Sequence, residues 1–266
     1  MKRELLKIER MGLILLTAGM MTASLSGCGS KEEIKVVKQL DLEINYKNLK
    51  SDIKAEDGTI LADIDITYPV IANIGDSEAL AKINNYYKSL AEVYIENTKA
   101  SAKEMAVEDK KMAIENQLEF MAHQYEMKIE LFYKDNDVIS FSTLEYMNTG
   151  GAHPNSLKMG ETFSIATGDK MTLDQVMGLE HDKALEVIYK KVASAIKKTE
   201  GTDAFYYDEN YKELIREAYN PNDFLVSDRG MTVFYQVYAI APYAAGYPTF
   251  ELSREDIGSG YIVSKK

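Results

Sequence analysis

Alternation of apolar and polar residues predicts β-strands in the first part of the folded chain. From Leu40 to Lys47 every second position is apolar, as in a strand with one buried face. The alternation returns at Ile60 and ends at Pro69, which cannot donate a hydrogen bond within a sheet. It appears again over residues 127–133 and 138–146, on either side of a polar turn, and predicts a β-hairpin.

A change of period after residue 79 predicts a long helix. Apolar residues recur at intervals of three and four from Leu80 to Tyr94, which is the stripe of a helix that lies on a core. Helical composition continues to about Ala122, while a polar stretch at 103–111 predicts a bend or an interruption. Because they fall on apolar periods, four tyrosines are expected to face the core: Tyr46, Tyr68, Tyr87 and Tyr133.

The second half of the chain repeats these element types without repeating the sequence. The patterns predict a strand that ends near Ile165, helices over 182–197 and 209–219, and strands over 224–226 and 231–240. Both faces of the last strand are apolar, so we expect it to lie in the centre of its sheet. Strands joined by hairpins and separated by long helices predict an α+β fold, with antiparallel sheets packed by long helices in two abutting α+β parts.

The N-terminal segment predicts export and lipid attachment. A basic start precedes an apolar run from Met11, and small residues follow, as in a secretory signal peptide. Leu25-Ser-Gly-Cys28 resembles a bacterial lipobox, in which the cysteine is acylated and becomes the first mature residue. An uncleaved anchor is the alternative, although the apolar run of about 15 residues is shorter than the roughly 20 that a span needs. We therefore predict a signal peptide at 1–27, a tether at 28–34 and a lipid anchor on the extracytoplasmic face of the cell membrane.

The charge of the chain argues against nucleic-acid binding. The sequence has 31 basic and 42 acidic residues, a net charge of −11. Without the predicted leader, 27 basic and 40 acidic residues remain, which is a net charge of −13. Proteins that bind nucleic acids carry a basic surface, which this composition does not supply. An acidic surface attracts basic partners or serves only to keep the protein soluble, and the sequence leaves both interpretations open.

Few side chains are suited to catalysis. Acylation of Cys28, the single cysteine, leaves no thiol for a disulfide, a nucleophile or a metal. Serine-nucleophile and phosphate-binding glycine motifs do not occur in the sequence. Asp63 and Asp65 share one strand face about 7 Å apart, but we expect a solvated pair rather than a glycosidase. The sequence therefore predicts no cofactor, no catalytic residue and no metal site, since no pair has ligand spacing among the three histidines, His123, His153 and His181.

Two loops rich in small residues are the best candidates for a binding site. The first loop is Gly150–Pro154. Its paired glycines permit positive φ or a close approach of the backbone, and Pro154 fixes the direction in which the chain leaves the loop. In the second, Ala241–Pro248, tyrosines between small residues can form a binding platform. Each loop also fits a structural role, as a tight strand connection or as core packing of tyrosines. The candidate ligand-binding residues are Asn148, Gly150, Gly151, His153, Tyr243 and Tyr247.

These loops carry a resemblance to a known family. The chain resembles a bacterial family of extracellular domains of unknown function, shared with the lysozyme-sensing anti-sigma factor RsiV and the N-terminal region of the peptidoglycan deacetylase PdaC. The resemblance spans about residues 35–262 and implies a PdaC-like domain at 35–149 and an RsiV-like domain at 150–262. The motifs that carry it are, in order, Gly150–His153, Thr162–Ser164, Thr167-Gly168, Leu173-Asp174 and Tyr238–Gly246.

The resemblance implies binding rather than catalysis. The deacetylase's catalytic motifs and the sensor's sigma-binding segment have no counterpart in this sequence. By analogy, the leading hypothesis is a lipid-anchored, non-catalytic module that binds a cell-wall glycan or a basic secreted protein such as lysozyme. One alternative is a peptidoglycan-active hydrolase, or a deacetylase-associated envelope enzyme, that uses His153 and nearby carboxylates. Another is a scaffold for a second envelope enzyme. Convergence of the two loops would favour a site.

Overall fold

The computed structural model describes residues 42–199 and 210–263 of the chain. The predicted signal peptide at 1–27, the predicted acylation of Cys28 and the tether at 28–34 lie outside the described residues. The described residues belong to one compact unit, Gln39–Lys266. Within the described ranges, no helix combines the length and the apolar composition needed to cross a membrane.

The first part of the structure is a five-stranded sheet covered by one long helix. The helix, α1 (Glu78–Glu115), packs against the sheet through the almost fully buried side chains of Leu80, Ile83 and Tyr87. Across the sheet the strands follow the order of the sequence: β1 (Glu43–Lys54), β2 (Ile60–Ala72), β3 (His123–Lys134), β4 (Val138–Asn148) and β5 (Asn155–Ser164).

One strand pair departs from the predicted antiparallel arrangement. β2 and β3 pair in parallel, with Ala62 opposite His123 and Thr67 opposite Lys128. The physical reason is α1, because parallel strands need a long crossover connection whereas a hairpin joins antiparallel strands. The remaining pairs of this sheet are antiparallel, and the predicted hairpin between β3 and β4 is confirmed.

The predicted interruption at 103–111 is wrong, because α1 is one continuous helix of 38 residues. In this stretch the helix faces the sheet through small residues, Ala102 and Ala106, which are fully buried. Lys103, Glu104, Glu108 and Lys111 are exposed on the outer face of the helix, whereas Asp109 and Lys110 are partly buried. Lys110 reaches back to the sheet and donates a 2.5 Å hydrogen bond to Asp57 in the β1–β2 turn.

The second part is a three-stranded antiparallel sheet with short helices and one longer helix. Its core includes Ile188 and Val192 of the longer helix together with Val226, Met231 and Leu252 of the strands. The helices are α2 (Leu173–Met177), α3 (His181–Lys197), α4 (Tyr211–Glu217) and α5 (Arg254–Ile257). The strands are β6 (Phe224–Ser227), β7 (Gly230–Phe234) and β8 (Thr249–Ser253). The predicted α+β fold with two parts is confirmed.

The strand predicted over 231–240 is shorter than expected. β7 lies between β6 and β8 and all five of its residues are buried, so its central position is confirmed. It ends at Phe234 because the next residue, Tyr235, lies opposite Pro248, which has no N–H to continue the ladder. Tyr235 N–H donates to Pro248 C=O at 2.9 Å, and Tyr238 adopts a φ of +66°.

Three of the four tyrosines that were expected to face the core do so. Tyr68 and Tyr87 are almost fully buried, and Tyr133 packs partly buried against the second core. Tyr46 is the exception, with 47% of its surface exposed. It lies on β1, at the edge of the sheet, where its hydroxyl accepts a 3.0 Å hydrogen bond from Leu131 N–H.

The two parts meet at the open edge of β5. The Gln236 side-chain amide donates to Lys158 C=O at 2.8 Å and accepts from Lys158 N–H at 3.1 Å. The Gln236 side chain therefore pairs with the N–H and C=O of Lys158 as a neighbouring strand would. These two backbone groups are not left without hydrogen bonds. The same Gln236 amide donates to the buried carboxylate of Asp223 at 2.7 Å. Further along β5, Gly160 has no side chain, and this allows the backbone of Phe224 in β6 to lie close to the backbone of β5.

Candidate functional site

The first candidate loop connects β4 to β5. The Asn148 side-chain oxygen accepts a 3.1 Å hydrogen bond from Gly150 N–H and holds the turn closed. Gly150 has a φ of +85°, a conformation that costs glycine little and other residues more. Gly151 is exposed and has no such φ. Asn148 and Gly150 therefore shape the loop, and its exit places His153 beside the second loop.

The second candidate loop connects β7 to β8. Ile240 and Ala241 are buried and anchor it to the second part. A short 3₁₀ turn, Tyr243–Ala245, follows and presents the Tyr243 ring at the surface. The apolar anchor and the hydrogen-bonded turn therefore set the position of the Tyr243 backbone.

The two loops converge on a cluster of three rings: His153, Tyr238 and Tyr243. The His153 imidazole stacks on the Tyr243 ring, with 4.0 Å between centroids and 17° between planes. The Tyr238 ring lies 5.8 Å from His153 and 5.6 Å from Tyr243. We call these three residues the ring cluster.

Hydrogen bonds lock the ring cluster to the backbone. The Pro154 carbonyl oxygen accepts from His153 Nδ1–H at 3.0 Å and from the Tyr243 hydroxyl at 3.1 Å. A carbonyl can only accept, so Nδ1 carries the proton. In the neutral imidazole, Nε2 then accepts from the Tyr238 hydroxyl, at 2.9 Å. Both ring nitrogens of His153 are thus engaged by neutral partners.

Tyr238 is held in an unusual backbone conformation. A φ of +66° is uncommon for a residue with a bulky side chain, and such strain costs about 1–3 kcal/mol. Even so, 51% of the tyrosine surface is exposed, so core packing does not explain the cost. Strain of this kind is concentrated at functional sites. The sequence pattern predicts a strand at Tyr238 and does not indicate a site there, although Tyr238 opens the last family motif.

Tyr247 does not belong to the ring cluster. Its ring lies below the Lys158 ammonium group, 5.8 Å from the ring centroid, while the same group lies 4.7 Å from the Phe234 ring. Burial lowers the pKa of Lys158 and raises the pKa of Tyr247. Tyr247 therefore packs against the edge of β5, although it belongs to the same loop as Tyr243.

The other candidate groups have structural partners. His123 is buried and its Nε2 lies 2.9 Å from Asp109, so it joins the end of α1 to β3. His181 pairs with Asp174 at 2.8 Å near the start of α3. Asp65 accepts from Lys50 at 2.7 Å, and this hydrogen bond lowers its pKa. Within the described ranges, no group of three histidine, aspartate, glutamate or cysteine residues is placed to hold a metal ion.

Two family models match the chain. Residues 53–156 match the model described as deacetylase PdaC, and residues 178–255 match a protein family of unknown function, DUF3298. The chain carries a DUF3298/PdaC-like domain. The resemblance predicted from the sequence motifs is confirmed.

Solved structures of DUF3298 proteins share the fold. A family member from Bacteroides fragilis NCTC 9343 is 16% identical, and the match covers 83% of this chain and 95% of that chain with a TM-score of 0.59. A family protein from Pseudomonas aeruginosa PAO1 is 12% identical, with 84% and 98% covered and a TM-score of 0.54. At these identities the likeness concerns the fold alone. A search of curated proteins gave no match.

The ring cluster joins the two matched segments of the DUF3298/PdaC-like domain. His153 lies at the end of the PdaC-like segment, whereas Tyr238 and Tyr243 lie in the DUF3298 segment. Contact between His153 and the two tyrosines therefore requires both segments to be folded and in place.

Proposed function

We propose that the chain is a lipid-anchored, extracytoplasmic, non-catalytic module whose ring cluster binds a basic secreted protein such as lysozyme. The observation that carries this proposal is the convergence of two loops on three locked, partly exposed rings. Tyrosine rings on loops supply contact area at a low cost in side-chain entropy. Since hydrogen bonds already fix them, little further order is lost when a partner binds.

The charge of the chain supports a basic partner. A net charge of −11, or −13 without the predicted leader, attracts cationic proteins from solution and raises their association rate. Such long-range attraction weakens as salt is added, because the Debye length at physiological ionic strength is only about 8 Å. We therefore expect the rings to supply most of the affinity. The association rate should fall as the salt concentration rises.

The geometry of His153 supports binding over hydrolysis. A general base needs a ring nitrogen that can reach the substrate proton. In this structure Pro154 C=O occupies Nδ1 and the Tyr238 hydroxyl occupies Nε2. His153 therefore serves as a positioned ring, and the hydrolase alternative lacks its base unless these bonds break.

Variants of the ring cluster test the proposed binding. We expect Tyr238→Gly to weaken lysozyme binding at least tenfold, about 1.4 kcal/mol, because it removes a central exposed ring. The same change relieves the positive φ, so stability should stay equal or rise. Titration calorimetry at 0.15 M salt and urea unfolding measure the two effects.

Tyr46→Ala is the matched control for this experiment, since Tyr46 is also about half exposed but lies at the far edge of the first sheet. It should leave lysozyme binding unchanged. Equal affinity of the wild-type protein and Tyr238→Gly would refute the proposed surface. Binding of soluble peptidoglycan fragments but not of lysozyme would assign the rings to a wall glycan instead.

Lipid attachment at Cys28 gives a separate prediction. In the membrane fraction, mass spectrometry should find a mature N-terminal peptide that begins at Cys28 and carries fatty-acyl chains. Cys28→Ser should release the protein from membranes, because acyl chains supply the anchoring energy. An unmodified Cys28, or a leader that is still attached, would contradict the predicted anchor.

A further inference from the structure

A cleft opens between the middle of α1 and the strands β3, β4 and β5. It has a volume of about 310 Å³, at the lower end of the range for small-molecule sites. On α1 the cleft is lined by the ring of Tyr94 and by the small, buried side chain of Thr98. The side chains that line it on the helix-facing side of the sheet include Tyr94, Thr98, Tyr125 and Glu145.

The Tyr125 hydroxyl in this cleft has no partner. Only 6% of the Tyr125 surface is exposed, and its oxygen is buried without a hydrogen bond. A buried hydroxyl normally finds a partner, since an unsatisfied one weakens the fold. An unsatisfied hydroxyl in the wall of a cleft points to a ligand that supplies the missing contact.

Glu145 adds an unpaired negative charge. It is half-buried, and burial alone raises the pKa of its carboxyl group. Among the residues that the structure describes, no basic side chain or hydrogen-bond donor pairs with it. A carboxylate removed from water without a counter-ion is unfavourable, and a cation in the cleft would correct this.

The tyrosines favour the same kind of ligand. Aromatic rings attract cations through their electron-rich faces, and aromatic cages are a common way to bind organic ammonium groups. A neutral sugar could stack on the same rings, but it would leave the charge of Glu145 uncompensated. The combination of rings, a carboxylate and a free hydroxyl therefore favours a cation.

We propose that the cleft lined by Tyr94, Tyr125 and Glu145 binds a small organic ammonium ion. Glu145 would supply the counter-charge, the tyrosine rings would contact the ammonium group, and the Tyr125 hydroxyl would accept a hydrogen bond from the ligand. This site is independent of the protein binding proposed for the ring cluster, and the two can fail separately.

Two cations and a neutral isostere test this site on the purified full-length chain. We expect choline or cadaverine to bind by titration calorimetry or NMR. The carbon isostere of choline, 3,3-dimethylbutan-1-ol, should bind at least tenfold more weakly than choline, because it has the same shape and hydroxyl but no charge. Binding of neither cation, or equal binding of choline and its isostere, would overturn the proposal.

Variants locate the binding. Glu145→Gln should weaken cation binding at least tenfold, whereas Glu126→Gln, an exposed glutamate on β3 outside the cleft, should not change it. Tyr94→Leu keeps an apolar side chain but removes the ring, so choline should lose more affinity than the isostere. Tyr238→Gly should leave cation binding intact. N-acetylglucosamine binding that survives Glu145→Gln, without cation binding, would show a sugar site and refute the ammonium site.

Discussion

Gly160→Ala is expected to destabilise the protein by at least about 3 kcal/mol. A Cβ atom at this position would lie 1.8 Å from the Phe224 carbonyl oxygen and 2.7 Å from its carbon, both of which belong to the backbone. A flexible side chain could move away, but here β5 and β6 would have to separate. Because these strands belong to different sheets, the contact between the two parts of the fold should weaken. Urea unfolding gives the change in free energy.

Gly151→Ala is the matched control for Gly160→Ala. Gly151 has no positive φ, and a Cβ added there would meet only one atom, at 3.8 Å. Its unfolding free energy should stay within about 0.5 kcal/mol of the wild type. Equal midpoints for the two alanine variants would mean that the sheets do not approach each other as closely as described.

Asp223→Asn is expected to remove a pH dependence of stability. Asp223 is 3% exposed, and burial raises its pKa to about 6, while the hydrogen bond from Gln236 acts in the opposite direction. The unfolded chain has the ordinary aspartate pKa, about 3.9. Between these two values only the folded protein binds the proton. Stability therefore falls as the pH rises from about 4 to about 6, by up to about 3 kcal/mol in total.

The asparagine variant lacks this ionisation and keeps an oxygen that can accept from Gln236. Urea unfolding at a series of pH values measures the free energy of unfolding of both proteins. The value for the variant minus the value for the wild type should increase with pH, and at pH 7 the variant should be the more stable of the two. Asp228→Asn, at an exposed aspartate in the β6–β7 turn, should run parallel to the wild type. Parallel profiles for Asp223→Asn would mean that Asp223 is not buried as a neutral acid.

Local patterns were sufficient to predict much of the fold. The period-2 alternation around 134–137 predicts the β3–β4 hairpin, and the two apolar faces of β7 predict its central place. The stripe of apolar residues predicts α3 almost to the residue, at 182–197 against His181–Lys197. In each case the burial of one face decides the structure, and the burial pattern is written in neighbouring residues.

Features that depend on distant residues were not predictable in this way. The parallel pairing of β2 with β3 depends on how α1 crosses the sheet. The polar stretch at 103–111 predicted a break, but buried Ala102 and Ala106 let the helix continue. A single side chain, Gln236, completes the edge of β5 across 78 residues of sequence, and no local pattern records this.

The candidate site shows the same division. Paired glycines, and tyrosines between small residues, single out two loops in the sequence, and only the structure shows that these loops meet. The sequence placed Tyr247 with Tyr243, whereas in the structure Tyr247 packs on Lys158. It also placed Tyr238 on a strand, because its strained φ arises from where the chain must go after Phe234. The tyrosine that is most exposed in the cluster was therefore the one missed.

The most direct test of the account is to locate a bound basic protein on the surface of this domain. Lysozyme is added at 0.15 M salt to the ¹⁵N-labelled compact unit Gln39–Lys266, and amide chemical shifts are followed by NMR. We expect the largest shifts at His153, Tyr238 and Tyr243 and in the loops that carry them. No shifts at saturating lysozyme, or shifts that spare both loops, would contradict it.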